Sequence, residues 1–495
     1  MSHHHIAIVG AGFSGIGMAI KLREASEHDF VLLERAGDIG GTWRDNTYPG
    51  CRCDVPSHLY SFSFAPNPNW ASTFSSQPEI LEYLRACAQR YDVMPHVRLH
   101  HELEGADWDE ERQLWKLETS QGALTAEVLI AAQGFLSQPS IPDVPGLESF
   151  QGTSFHSATW DHDHDLTGER VAVIGTGASA IQLVPAVQPR VGRLHIFQRT
   201  APWVVPHPNR GLSRYERAVY RMFPPAQLAM RAGIYWARES LVLQFRHRRF
   251  GKLVERMALR HLREQVPDPG LRAKLTPSYA MGCKRILPTN EWYPTLTRPN
   301  VELVTDGIRK VRPRSIVTDD GTEREIDTII FGTGFHVTDI PIAHRIRGRD
   351  GHSLAAAWDG SPEAYKGTSV AGYPNLFFLV GPNTGLGHSS IVFMIEAQIA
   401  YVMEALRMMR RRGARTLEVR AAAQAAYNAE VQRMTRGTVW VNGGCASWYI
   451  DRNGRNSTLW PTFTWPFRKR LRRFDEAAYA LGAPRPQGEP LPAPA

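Results

Sequence analysis

The chain has 495 residues, 43% hydrophobic and 21% charged, enough for two or three globular domains with generous cores. Five cysteines in that length make no disulfide framework, which reads as a reducing, cytoplasmic setting. The net charge of +8 gathers in RHRRFGK near 246, RMMRRRGAR near 407 and FRKRLRR near 467; each reads as a solvated helix face outside any nucleic-acid module, so no nucleic-acid partner is expected.

At the N-terminus, HHH (3–5) has no partner cluster for a metal and is set aside as native or a tag remnant, and no metal site is expected. The strand IAIVG follows at once, leaving no room for a signal peptide. It runs into Gly10-x-Gly12-x-x-Gly15 and a helix-like stretch, and a second strand, FVLLE, ends in Glu34. The glycines permit a tight turn and a close approach to a pyrophosphate, and an acid at that offset suits an unphosphorylated ribose, as in FAD or NAD. Residues 40–64, GGTWRDNTYPGCRCDVPSHLYSFSF, include Gly41, Thr42, Trp43, Asp54 and Tyr60. They also hold Cys51 and Cys53, whose single intervening residue is unlike the Cys-x-x-Cys of a disulfide reductase.

EVLIAAQGF (127–135) and DTIIFGTGF (327–335) read as buried strands that pass the chain between two nucleotide units. FQGTSFHSATWD (150–161) shows neither helix nor strand period, yet it holds Phe150, Gly152, His156, Trp160 and Asp161. A second turn follows in VAVIGTGASAIQLVPAV: Gly175-x-Gly177-x-x-Ala180, with Ala178 and Ser179 in between. Its second strand, LHIFQRT, ends in Arg199 and Thr200, which suit a 2′-phosphate where a carboxylate would repel it; alone, Arg199 also reads as a solvated strand end. One FAD-type and one NADP-type site describe a flavoprotein that takes hydride from NADPH.

Residues 207–282 break the strand–helix rhythm: RYERAVYRMF, AQLAMRAGIYWARESLVLQF and KLVERMALRHLREQV have helical spacing. The second of these is the nearest approach to a membrane span, but Arg231, Arg238 and Glu239 interrupt it, so no stable membrane insertion is expected. The helices read as an insertion that packs or lines a substrate entrance. The expected fold class is α/β, with two dinucleotide-binding (Rossmann-like) domains, the NADP domain inserted in the FAD domain. The expected boundaries are 1–140 and 338–480 for FAD, 141–206 and 283–337 for NADP, 207–282 for the helical insertion and 481–495 for a flexible tail.

GGTW, YPG and CDVPS, together with F-x-G-x-x-x-H-x-x-x-W-D at 150–161, resemble the type I Baeyer–Villiger monooxygenases, from residue 6 to roughly 460. The resemblance implies FAD and NADPH as cofactors, and a ketone and O2 as substrates. A flavin peroxide inserts one oxygen beside the carbonyl to give an ester or lactone, and sulfides are oxidised as a side activity. It also implies that Arg285 stabilises the peroxide, that Asp54 holds Arg285, and that Lys284 joins Arg199 and Thr200 at the NADP phosphate. Trp440 aligns with a tryptophan that contacts the nicotinamide nucleotide, although Gly443-Gly444-Cys445 replaces the family's Gly-Ala-Asn, and a core role is equally open. His388, in GPNTGLGHSS, reads as packing near the flavin, and His156 as part of a hinge between the domains. An N- or S-oxidising flavin monooxygenase remains the nearer alternative. A redox-sensing NADPH oxidase using Cys51 and Cys53 is the more distant one.

Overall fold

Two sheets, each begun by a glycine turn, carry the computed structural model, which describes residues 2–482. β1 (Ser2–Val9) runs into Gly10 and is followed by α1 (Phe13–Glu24). β2 (Phe30–Leu33) and β3 (Gly122–Ala131) flank β1, both parallel to it. Ile6 and Ile8 enter one buried cluster, and Ala7 and Val9 enter another. A strand covered on both faces needs that unbroken apolar run. His3–His5, for which no structural role was expected, belong to the strand. They continue β1 and pair along β3, with His3 Nδ1 2.9 Å from Thr125 Oγ1.

The second sheet is parallel throughout. β4 (Thr153–His156) is its edge, and β5 (Arg170–Ile174) leads through Gly175 to α2 (Ala180–Val187), then β6 (Arg193–Phe197). The helical segment follows as α3 (Arg214–Met222), α4 (Pro224–Ser240), α5 (Val242–Arg246) and α6 (Arg248–Gln265). The stretch AQLAMRAGIYWARESLVLQF is thus divided: at Leu241 the chain tightens to an i→i−3 bond from Leu241 N–H to the Arg238 carbonyl. β7 (Val301–Val304) and β8 (Thr328–Phe331) complete the sheet, whose order is β7, β6, β5, β8, β4. The connections reverse direction at β5, so its carboxyl end is the crevice where such sheets bind ligands.

FQGTSFHSATWD therefore does contain a strand, β4, followed by a single 3-10 turn at Ser157–Thr159. Four residues at a sheet edge are too few to register a period. The chain regains the first sheet at Ile346–Arg347, which pairs with Ala106 and Asp107, and again at β9 (Leu376–Phe378), parallel to β3; α7 (Ile391–Arg412) then packs across α1. α8 (Val439–Asn442) is a single turn near the end. Of the expected tail, residues 483–495 lie outside the described residues, and Leu481 ends a strand from Tyr479.

The first glycine turn depends on close contact. A Cβ on Gly15 would lie 1.9 Å from the Gly10 carbonyl oxygen and 3.0 Å from Leu32 Cδ1. Backbone cannot give way as a flexible side chain can. Gly15→Ala is expected to destabilise the protein by about 3 kcal/mol, read as a lowered midpoint in thermal unfolding.

Candidate active site

The first turn opens a cavity bordered by Gly10, Gly12, Glu34, Gly41, Thr42, Trp43 and Tyr60. Gly10 (φ +104°) turns the chain, and Gly12 faces Gly41 (φ +53°) so closely that a Cβ on Gly41 would lie 3.1 Å from Gly12 Cα. Side chains on either would fill the passage, which suits a pyrophosphate held by backbone. At one end Glu34 is buried. It accepts N–H bonds from Ala11 (2.9 Å) and Ala36 (3.0 Å) and pairs with Arg44 at 2.7 Å. Glu34 therefore anchors the turn as well as bordering the space for a ribose. At the other end lie Ile391 and Ile395 of α7, whose first turn Ser390 caps at 3.2 Å, and Val380 at φ +61°. A β-branched residue in that left-handed region is strained. Trp43 donates its indole N–H to the Tyr60 hydroxyl at 3.1 Å.

Arg285 and Asp54, 231 residues apart, meet in a bidentate pair: Nε to Oδ2 and Nη2 to Oδ1, both 2.6 Å. Arg238 of α4 donates to the Asp54 backbone carbonyl at 3.1 Å. Burial alone would raise the Asp54 carboxyl; the charges of Arg285 and Arg238 outweigh it and hold it below the usual carboxylate range. Asp54 in turn holds Arg285 above the ordinary arginine range, so the guanidinium stays charged. Arg285 Nη1 has no hydrogen-bond partner among the described residues, and a third of the side chain is exposed, which leaves donors available to a ligand.

Beside the pair stands an aromatic wall of Phe245, Trp440 and Tyr449. The Phe245 and Trp440 rings are 5.2 Å apart, and burial pushes the Tyr449 hydroxyl up to about 12 against the pull of Arg285. Trp440 is buried, and its indole N–H has no partner among the described residues. His388 is packed: its Nε2 lies 3.2 Å from buried Glu239, whose carboxylate also accepts from Thr464 N–H (2.8 Å) and Oγ1 (2.7 Å). Arg238, Glu239, Phe245 and Tyr449 had not been expected here. For the first three, the signal was charge and aromaticity inside an insertion read as packing or lining a substrate entrance, with no residue of it singled out for the site.

At the second turn Gly175 (φ +112°) presses on Gly332, while a Cβ on Gly177 would meet nothing within 4 Å. Ala178 is exposed and Ser179 half-buried beside that space. Arg199 is exposed at the end of β6, with Thr200 next to it. Burial, then the nearby charge of Arg199, pushes the Lys284 ammonium below its usual range. Neither cation has a carboxylate partner among the described residues. Two unneutralised cations held together make an anion site.

Gln182 of α2 ties the two units together. It accepts from the Tyr48 hydroxyl (3.0 Å) and Arg52 N–H (3.2 Å) and donates to the Arg52 carbonyl (3.1 Å). A lone glutamine in an apolar helix carries no sequence signal of that role. In the fingerprint segment, Phe150 packs on the core of the second sheet, and a Cβ on Gly152 would lie 2.1 Å from the Asp327 carbonyl. His156 is buried, which lowers its pKa; Nδ1 accepts from Ala158 N–H at 3.1 Å, and the ring meets Phe335 edge-on at 5.6 Å. Trp160 stands edge-on to Phe155 at 5.1 Å, and Asp161 accepts from Asp163 N–H at 3.1 Å.

The cysteine reading needs correction. Cys283 and Cys445 form a disulfide, Cα–Cα 6.2 Å, which clamps the Lys284–Arg285 loop to the segment after Trp440. One pair separated by 162 residues leaves no spacing pattern to read, and the cysteine count no longer bears on the compartment. Cys51 and Cys53 are free buried thiols, and burial pushes Cys51 up to about 11, the wrong direction for a responsive thiolate.

Residues 7–215 match the family model of pyridine nucleotide-disulphide oxidoreductases. A Baeyer–Villiger monooxygenase of Streptomyces coelicolor is 51% identical over 487 residues, 98% of this chain and 94% of that protein. The chain belongs to the Baeyer–Villiger monooxygenases. A cyclohexanone monooxygenase from Rhodococcus sp. Phi1, solved with bound NADP+, superposes with a TM-score of 0.87 at 28% identity, over 97% of this chain and 99% of that one. OTEMO, solved with FAD and NADP, gives 0.88 at 28% identity over the same shares. This monooxygenase thus has the two-domain fold of the cyclohexanone monooxygenases.

The Asp54 shift has a pH signature. A carboxyl held below its unfolded value contributes stability that is complete above about pH 4 and is lost as pH falls through the lowered value. Asp54→Asn should therefore destabilise the protein near neutrality by about 1–2 kcal/mol after allowing for the partial exposure of Arg285, read as a lowered thermal midpoint. The gap from wild type should close as the pH is taken below 4.

Proposed function

We propose that this monooxygenase uses NADPH to reduce bound FAD and, with O2, inserts one oxygen atom beside the carbonyl of a small-molecule ketone, giving an ester or lactone. The balance is ketone + NADPH + H+ + O2 to ester + NADP+ + H2O. Bound FAD supplies the two-electron chemistry of oxygen; the rest falls to side chains of this chain. The passage between Gly12 and Gly41 fits the FAD pyrophosphate, with Glu34 toward the ribose and Trp43 and Tyr60 toward the flavin. Lys284, Arg199 and Thr200 hold the 2′-phosphate of NADPH beside Gly175 and Gly177, and Trp440 offers its unpaired N–H to the nucleotide.

The observation that carries the reading is the Arg285–Asp54 pair. As a carbonyl carbon is attacked, negative charge builds on its oxygen, and a preorganised cation beside that oxygen stabilises the charge without reorganising. Asp54 occupies Nε and Nη2, fixing the plane of the guanidinium and leaving Nη1 for the reacting oxygen. Oxidation of nitrogen or sulfur by a neutral oxidant needs no such cation. His156, braced on Phe335 at the link between the sheets, couples nucleotide binding to the flavin side. The reading carries with it a cytoplasmic setting, where NADPH is regenerated.

The FAD-loaded protein, given NADPH, O2 and a panel of cyclic, linear and aryl ketones plus a thioether, is expected to form esters. Arg285→Ala should abolish ester formation while anaerobic flavin reduction persists. Sulfoxide as the only product, unaffected by that substitution, would overturn the reading. Arg199→Ala should raise the KM for NADPH about tenfold to a hundredfold, as for a lost charged hydrogen bond, and leave that for NADH nearly unchanged.

A further inference from the structure

α4 is built inside out. Apart from Ile234 and Tyr235, which pack on the core, its inward side chains are charged or polar: Gln227 donates to the Asn67 carbonyl (2.6 Å), Arg231 to the carbonyls of His58 (2.6 Å) and Ser61 (3.0 Å), and Arg238 to Asp54. Its outward face carries Leu228, Ala229, Met230, Ala232, Gly233, Trp236 and Ala237, all exposed, with no charge among them. A helix facing water has the reverse arrangement.

The neighbouring helices repeat the feature. α3 exposes Tyr215, Val219 and Met222 at helical spacing and leads through exposed Phe223 into α4. On α6, exposed Phe250, Leu253 and Met257 alternate with exposed Arg249, Lys252 and Arg256, and none of these three cations has an ion-pair partner among the described residues. Ten of the sixteen large exposed hydrophobic side chains among the described residues fall between 215 and 257. Residues 214–265 also hold twelve Arg or Lys against four Glu, a net of +8 that equals the charge of the whole chain.

We propose that this helical face docks the enzyme on the surface of an anionic phospholipid bilayer. Basic residues interleaved with Trp, Phe, Leu and Met on short amphipathic helices match the acyl boundary and the headgroup charge together. Among the described residues no helix is long and apolar enough to cross a membrane, so the contact is peripheral. A second copy of the chain fits poorly, because pairing would set two segments of +8 against each other. The docking does not depend on the reaction proposed above. It would place the bilayer on the outer side of the helix whose inner side holds Asp54.

The test is co-sedimentation of the full-length, FAD-loaded protein with vesicles of phosphatidylcholine alone and of phosphatidylcholine mixed with phosphatidylglycerol. The protein is expected to pellet with the anionic vesicles only and to be released by high salt. Lys252→Glu with Arg256→Glu should weaken binding by at least about fivefold per charge, and Trp236→Ser with Leu253→Ser should weaken it without changing the salt dependence. Both variants should oxidise NADPH with a soluble ketone at the wild-type rate. Pelleting no greater than without vesicles, equal binding to both vesicle types, or indifference to both variant pairs would overturn the proposal. So would a lipid-free dimer in sedimentation velocity that Trp236→Ser dissociates.

Discussion

The pair of Arg285 and Asp54 joins parts of the chain that share no strand. Asp54 lies on the loop that follows the first nucleotide turn, Arg285 on the loop between the helical segment and β7, and Arg238 reaches the same Asp54 from α4. Three segments are thereby held in register by one aspartate, through its carboxylate and backbone carbonyl, and two guanidinium groups. Geometry is what the arrangement secures. A pair partly open to solvent contributes modestly to stability, but a fork held at two atoms has a defined plane and three unused N–H donors.

The surrounding contacts protect that geometry from motion between the two sheets. Gln182 links the loop before Asp54 to α2, so the second nucleotide turn and the Asp54 loop move together. Cys283–Cys445 fixes the other side, tying the Arg285 loop to the segment that carries Trp440 and Tyr449. His156 and Phe335 meet where the chain passes between the sheets. None of these three contacts is a strand pairing within a sheet, and each restrains the relative placement of the two nucleotide sites that hydride transfer requires.

What could be read from the sequence follows the range of each interaction. The glycine turns are local: Gly10, Gly15 and Gly175 each meet backbone at a distance no side chain tolerates, and that demand is written at fixed spacing. Glu34 was legible for the same reason, although its bonds to Ala11 and Ala36 show that it also stabilises the turn itself. Arg285 and Asp54 became legible only through family resemblance, because nothing in either neighbourhood records a partner 231 residues away. Gln182, Arg238 and the disulfide were missed on the same ground. β4 was missed because an edge strand of four residues alternates too briefly.

α4 shows how one constraint shapes both faces of an element. The loop from Asp54 to Ser61 turns backbone carbonyls toward the helical segment, and buried carbonyls need donors. Arg231 and Arg238 supply them, seven residues apart and so on one side of the helix. With the charged residues drawn inward beside Ile234 and Tyr235, the remaining apolar residues of the same helix face out. Read as a linear string, those charges argue against a membrane span because they interrupt an apolar run. In the folded chain they are on the other side, and the surface left to the solvent is the apolar one.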